Sequence, residues 1–548
     1  MRHNKSMVAL LLTSLALVGC GGNSSSSSTT IMQNSSSNNS TTTDTKRNPS
    51  LHILPIMSDE DGNLSDAKAT YTLTAKEGIN VNIETPNGNW ITPMWRYNDS
   101  PLPLIIRAKR GDSMTLNFNN KLSSDSTIHW HGFKVPAKED GGPDFPVKPN
   151  ESRTYSFKLD QPASPLWFHP HPDMQTGKQV YMGLAGVFLV EDNISKELED
   201  RNQLPSGDRD IVLLVQDRRF DNERDGVREL KYMNYEMDSD GMLGDIVLVN
   251  GSEFPNLDVS TTQYRFRLYN VSNAKNYDFA FSDGRDFTVV ATDGGLLKNL
   301  VKLNHIKLGA AERVEIIVDF RNDSVGDSIK LISRAFADDV MGMGMNQIGM
   351  NQNSSNNNTN LNGRTPNGTE IDIMKFTVTK NSEDNITIYK TLTDKAEISK
   401  RLDPNSADNI GNEREFIMTM QMGSNMGSGS MKFLINGKLF DPNRVDEFID
   451  ANSTEIWRIT NNSPMSHPFH AHAIQYQILD RDGVPASGVD LGWKDTFLVK
   501  PNETIRVIGR FEPINQGDYM YHCHILEHED AGMMGYFRVG KSGHIKAQ

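Results

Sequence analysis

The sequence predicts an all-β chain of three β-sandwich domains, and three observations carry that prediction. Short runs that alternate apolar and polar residues, such as "SMTLNF" (Ser113–Phe118) and "EIWRIT" (Glu455–Thr460), stand between clusters of Gly, Asn, Asp and Pro. That is the period-two pattern of half-buried strands. Next, "VKPNESRTYSF" (Val147–Phe157) returns as "VKPNETIRVIG" (Val499–Gly509), with the first five residues identical. Each copy leads into a His-x-His, 20 residues from Pro149 to His169 and 21 from Pro501 to His522. Between them lies a fainter copy, "LGAAERVEIIVDF" (Leu308–Phe320), followed by "KLISRA" (Lys330–Ala335) where the histidines would stand. The copies set domains at 66–195, 208–385 and 412–541, with metal chemistry in the first and third only.

The N-terminus has its own organisation. "MRHNKSMVALLLTSLALVGCGG" carries Arg2 and Lys5, an apolar run from Met7 to Val18 and then Cys20. The run is too short to span a bilayer as a mature helix and reads as a signal peptide over 1–20. "LVGC" resembles the bacterial lipobox, which implies cleavage before Cys20 and lipidation of its sulfur; an ordinary secretory signal is the alternative. The following stretch, 21–65, is rich in Ser, Asn and Thr and is expected to be a disordered tether to a body beginning near residue 66. The net charge of −14, without a basic stripe, excludes nucleic acid as a partner. The two cysteines, Cys20 and Cys523, lie in settings too different for a mutual disulfide.

Histidine spacing identifies the chemistry. His-x-His occurs at His129/His131, His169/His171, His470/His472 and His522/His524. With 14 His in 548 residues, chance gives roughly 0.4 such pairs. Residues two apart on a strand share a face, so each pair aims two imidazoles at one cluster. Adding His467 and His528 leaves His3, His52, His305 and His544 unassigned. In "YHCHILEHEDAGMM" (Tyr521–Met534), Cys523, His528 and Met533, with His467 from another strand, form the thiolate, two-imidazole and thioether set of a blue-copper centre. Strand alternation turns Cys523 to one face and His522 and His524 to the other. Domain 1 has Pro170 and Ser126 where domain 3 has Cys523 and His467, which confines the thiolate site to domain 3.

At these residues the chain resembles the multicopper oxidases, in particular bacterial laccase-like copper efflux oxidases. "HWHG", "WFHPHP", "HPFHAH" and "HCHILEHEDAGMM" match the four family motifs in order, and the resemblance spans roughly residues 66–541. It implies cupredoxin-like Greek-key sandwiches holding four copper ions. Type 1 copper falls to His467, Cys523, His528 and Met533, with Met534 a competing axial ligand. Type 2 falls to His129 and His470. The type 3 pair falls to His131, His169 and His524 on one ion and His171, His472 and His522 on the other. The resemblance further implies four one-electron oxidations at type 1 copper feeding reduction of O2 to water, with Asp140 and Glu529 in the places of proton donors.

The expected reductant is Cu(I), with small phenols as further substrates. "MGMGMNQIGM" (Met341–Met350) and "MTMQMGSNMGSGSM" (Met418–Met431) set Met among Gly, Asn, Ser and Gln, a pattern that suits exposed thioethers for Cu(I). Met420 and Met465 match methionines of the relatives' substrate-copper site, whereas Asn425 and Ser463 stand near where aspartates belong. The expected protein is thus a monomeric periplasmic oxidase conferring copper tolerance, lipid-anchored to a bacterial membrane, the outer one favoured. The alternatives are a copper-sequestering protein with vestigial oxidase activity, and a laccase or ferroxidase with a non-copper substrate.

Overall fold

Alternating burial along the strands is what pairs the sheets. In Ser113–Asn120, Met114, Leu116 and Phe118 are buried while Thr115 and Asn117 between them are less so. Fully burying each such side chain contributes about 1.5–3 kcal/mol. The computed structural model describes residues 48–60, 62, 66–232, 239–337, 364–395, 398, 400–422 and 431–540.

One plan is used three times. Lys68–Ile83 runs parallel to Ser113–Asn120, which is antiparallel to Ser152–Lys158. Asp210–Arg218 stands in the same relation to Gln263–Asn270 and Arg313–Asp319. So does Arg414–Met422 to Thr454–Asn461 and Thr504–Arg510. A second sheet closes each sandwich, and one apolar core lies between each pair.

The repeat read from the sequence has a backbone cause. Asn150, Ala311 and Asn502 have φ of 66°, 70° and 61°, each left-handed residue standing two before the third strand of its sandwich. Asn tolerates that conformation; Ala accepts it at a cost of about 1–2 kcal/mol. In the middle sandwich, Tyr277–Phe281 takes the sheet place of His129–His131 and His467–Ala471. Its Tyr277, Phe279 and Phe281 face the core as Trp130, Phe469 and Ala471 do in the other two, and the opposite face, which carries histidines there, has Asp278 and Ala280.

Two expectations are corrected. The tether expected over 21–65 stops short of that, because residues 48–57 belong to the folded body. Leu51 lies in the middle-domain core, Leu54 is 4% exposed, and Ser50 and Ile56 bridge to Asn256 and Ile105. The Ser/Asn/Thr run ends earlier, and "SLHILPIM" is apolar enough to pack. Met418, expected among exposed thioethers, is fully buried in the core of the third sandwich because the strand alternation turns it inward; Met420 and Met431 pack half-buried against the same core. The signal peptide, Cys20, Met341–Met350 and Asn425 lie outside the described residues. Among the described residues no helix is long and apolar enough to cross a membrane.

Candidate metal centre

Sheet register assembles the histidines. His129–His131 pairs antiparallel with Pro165–His169, setting His129 opposite His169; His467–Ala471 pairs with Gly517–Cys523, setting His470 opposite His522. Side chains directly opposite on antiparallel strands have Cβ atoms about 4.5–5.5 Å apart. Only His129/His131 lies wholly within a strand, whereas His171, His472 and His524 sit just past strand ends. All eight of these histidines are buried.

Of the expected groups in the cluster, one closes on a common point, His171, His472 and His522, whereas the other histidines gather across them, His129 with His131 and His169 and also with His470 and His472. His171, His472 and His522 converge through their Nε2 atoms, at 3.4 Å between His171 and His522 and 3.2 Å between His472 and His522. The rings of His131, His169 and His524 lie 5.0–5.7 Å apart. Those of His129 and His470 are 5.9 Å apart, on the seam between the first and third sandwiches. Nitrogens at His129 Nε2, His131 Nδ1, His169 Nε2, His470 Nε2 and both of His524 are buried without a hydrogen-bond partner. An orphaned buried polar atom costs about 1–3 kcal/mol, and metal coordination relieves that cost for an imidazole. Burial lowers the basicity of the His129, His169, His470, His472 and His524 rings, and takes His131 and His171 each to about 4. They are therefore neutral ligands at pH 7.

The second site lies beside the first. Cys523 Sγ is 3.3 Å from His467 Nδ1 and 3.8 Å from His528 Nδ1. Met533 is fully buried in the same core cluster as Cys523, and its backbone carbonyl accepts from the Cys523 N–H at 3.0 Å. The short helix Leu526–Asp530 carries His528, whose ring stacks on Phe433 at 3.9 Å and whose Nε2–H donates to the Ser239 carbonyl at 3.0 Å. His467 Nε2–H donates to Ser463 Oγ at 2.8 Å, so a neutral hydroxyl stands on its outer edge. Burial raises the Cys523 thiol well above its usual range and lowers His467 to about 3. A thiolate, two neutral imidazoles and a thioether fit copper better than zinc, whose structural sites take more Cys.

The carboxylates divide. Asp140 Oδ2 accepts from His472 Nδ1–H at 2.6 Å, while burial and the neighbouring Asp144 raise its carboxyl well above the usual range. Glu529 Oε2 lies 2.9 Å from His522 Nδ1 and its Oε1 3.5 Å from His171 Nε2. Burial would raise Glu529, but the His171 and His522 rings and the Thr176 hydroxyl hold it down to about 2. The two carboxyls are thus pushed in opposite directions, Asp140 toward its protonated form and Glu529 toward its anion.

Sequence reasoning missed Asp495, which is fully buried. Its carboxylate accepts from His131 Nε2–H at 3.0 Å and its carbonyl from His470 Nδ1–H at 2.8 Å. A lone Asp four residues ahead of the second "VKPN" gave no spacing signal. Trp167, 4.3 Å from the His169 ring and 5.0 Å from that of His131, was missed as well.

Comparison with known proteins agrees with this geometry. Three multicopper oxidase family models match residues 79–195, 220–328 and 412–543. The chain is 32% identical over 475 residues to the multicopper oxidase mco of Staphylococcus haemolyticus, across 86% of this chain and 88% of that protein. It is 31% identical over 504 residues to a laccase of Bacillus subtilis, across 81% and 89%. A solved multicopper oxidase of Campylobacter jejuni, described as a metallo-oxidase, superposes with a TM-score of 0.71 at 28% identity, across 90% of this chain and 96% of that one.

Proposed function

We propose that this chain, which belongs to the multicopper oxidase family and is therefore a copper-dependent oxidoreductase using O2, oxidises Cu(I) and, less selectively, small phenols. The carrying observation is the position of Cys523. Its sulfur faces His467 and His528, while the adjacent His522 faces His171 and His472. A residue bonded to both sites gives an electron a short covalent route between them.

In this reading four copper ions are held. His467, Cys523, His528 and Met533 hold type 1; His129 and His470 hold type 2; His131, His169 and His524, and His171, His472 and His522, hold the type 3 pair. When bound, copper supplies one-electron acceptance at the first site and four-electron delivery to O2 at the cluster. The chain's own groups do the rest. Ring nitrogens held neutral by burial remain available as ligands. Asp140 carries a proton on Oδ1 while its Oδ2 orients His472, so it serves reduction as an acid. Glu529, an anion beside His522, fixes that ring and receives protons in transit. The burial of all these groups excludes bulk water from the cluster.

Support for Cu(I) comes from Met420 and Met431, partly exposed thioethers packed against the core that contains Cys523, Met465 and Met533. The Campylobacter jejuni likeness points to a metal reductant and the Bacillus subtilis likeness to phenols. Within this reading the protein acts in copper tolerance as a periplasmic, lipid-anchored monomer. Steady-state oxygen uptake by the copper-loaded protein, given Cu(I), Fe(II) and a phenol in turn, tests it. The expected order has Cu(I) first; uptake with the phenol alone would overturn the assignment of reductant.

A further inference from the structure

The histidine-free third copy of the repeat also reaches the cluster. Directly after its left-handed Ala311 and Glu312 comes Arg313, at the place held by Ser152 and Thr504 in the other copies. Ser152 is exposed and Thr504 half-buried, whereas Arg313 is fully buried. Its side chain leaves the middle sandwich and enters the seam between the other two.

Every N–H of its guanidinium is used. Nε donates to the Pro165 carbonyl of the first sandwich at 2.8 Å. Nη1 and Nη2 donate to Asp495 Oδ1 and Oδ2 of the third at 2.6 and 2.8 Å, a bidentate fork. The remaining two go to the Ala311 and Asp293 carbonyls at 3.1 and 3.2 Å. Asp495 is closed on its other sides by Gln475 Nε2 at 2.7 Å, Thr496 Oγ1 at 2.9 Å and His131 Nε2 at 3.0 Å. Thr496 Oγ1 is also 3.2 Å from His470 Nδ1. The backbone of the first metal motif leaves room for this: Gly132, at φ 86°, is where a Cβ would overlap the Asp495 carboxylate and crowd Arg313 Nη2.

The chemistry follows from the donors. An anionic Asp495 accepts from Nε2–H of His131, so that ring presents Nδ1 as its free lone pair. A carboxylate free to turn would fix neither the tautomer nor the ring plane. We propose that Arg313 is a positioning residue for the copper cluster: by its fork on Asp495 the middle domain sets the orientation and tautomer of His131 and steadies His470. This rests on reading the eight histidines as the ligands of type 2 and type 3 copper. Partners that orient metal-bound histidines commonly alter metal affinity 10- to 100-fold when removed.

The test uses Arg313→Gln, and Arg313→Lys, which keeps the charge and loses the fork. Each is loaded with copper beside the wild type and read by electron paramagnetic resonance, by blue absorption and by the rate of copper loss to a chelator. Expected in both are a retained type 1 absorption, a changed type 2 hyperfine pattern and cluster copper lost about tenfold faster. If Arg313 only braces the domains, both variants melt lower with a wild-type type 2 signal and wild-type copper loss, which overturns the inference. Should Arg313→Gln fail to fold, Arg313→Lys decides alone by the same two readouts. A wild type that takes up no type 2 or type 3 copper would show that the ligand assignment itself is wrong, and the role of Arg313 falls with it.

Discussion

Asp140 and Asp495 occupy equivalent positions on opposite sides of the histidine cluster. Each accepts from the first histidine of its own sandwich through its backbone carbonyl, His129 at 2.9 Å and His470 at 2.8 Å. Each then reaches the second histidine of the other sandwich through its carboxylate, His472 at 2.6 Å and His131 at 3.0 Å. The environments break this symmetry. Burial beside Asp144 raises Asp140, whereas Arg313 and His131 outweigh burial and hold Asp495 well below the usual range. Burial thus favours the protonated form of Asp140, while the ion pair with Arg313 favours the anion of Asp495.

Asp140→Asn follows from that division. An amide oxygen still accepts from His472 Nδ1–H, so the cluster forms, but the acid is gone. Turnover with O2 is expected to fall about 10²-fold, while anaerobic reduction of the blue chromophore by the reductant is unchanged. Stopped-flow measurement of both phases checks this; equal turnover in variant and wild type would remove Asp140 from the reaction.

The outer edge of His467 sets a second expectation. Ser463→Asp would place a carboxylate where a hydroxyl now accepts from Nε2–H. A cationic reductant gains roughly 1 kcal/mol, about fivefold in KM, and a neutral phenol gains nothing. Parallel kinetics with Cu(I) and a phenol decide it, and an equal change in both KM values would contradict the neutral-edge account.

The copper-free protein has a pH signature. His131 and His171 sit at about 4 and His467 at about 3, against about 6.5 in an unfolded chain. Because the folded values are depressed, this stability is present above pH 6.5 and is lost as pH falls toward 4. Each histidine contributes about 1.4 kcal/mol per pH unit in that window. Urea midpoints of the copper-free protein are expected to drop steeply between pH 7 and pH 5; identical midpoints would mean these rings are not buried neutral.

The sequence carried the ligands because their spacing is local. Four His-x-His pairs and the Cys523–Met533 loop need only strand periodicity to be read. Asp495 and Arg313 escaped because their partners lie far along the chain, 364 residues apart for His131 and Asp495 and 182 for Arg313 and Asp495. An isolated Asp between two strands, or an Arg at the start of one, reads as solvated surface until the domains are assembled. The third repeat was legible as a strand rhythm, but its replacement of Ser152 and Thr504 by a buried arginine was not. Met418 failed for the opposite reason: its Gly- and Asn-rich neighbours suggested exposure, while alternation in Arg414–Met422 buries it.

Electron counting shows whether Cys523 joins a reductant site to an oxygen-reducing cluster. The copper-loaded wild type and Cys523→Ser are given limiting Cu(I), and oxygen consumed and hydrogen peroxide released are measured together. Expected are one O2 consumed per four Cu(I), no peroxide, and no uptake above background by the variant. Oxygen uptake by Cys523→Ser equal to wild type, or no uptake by the loaded wild type with any reductant, would contradict it.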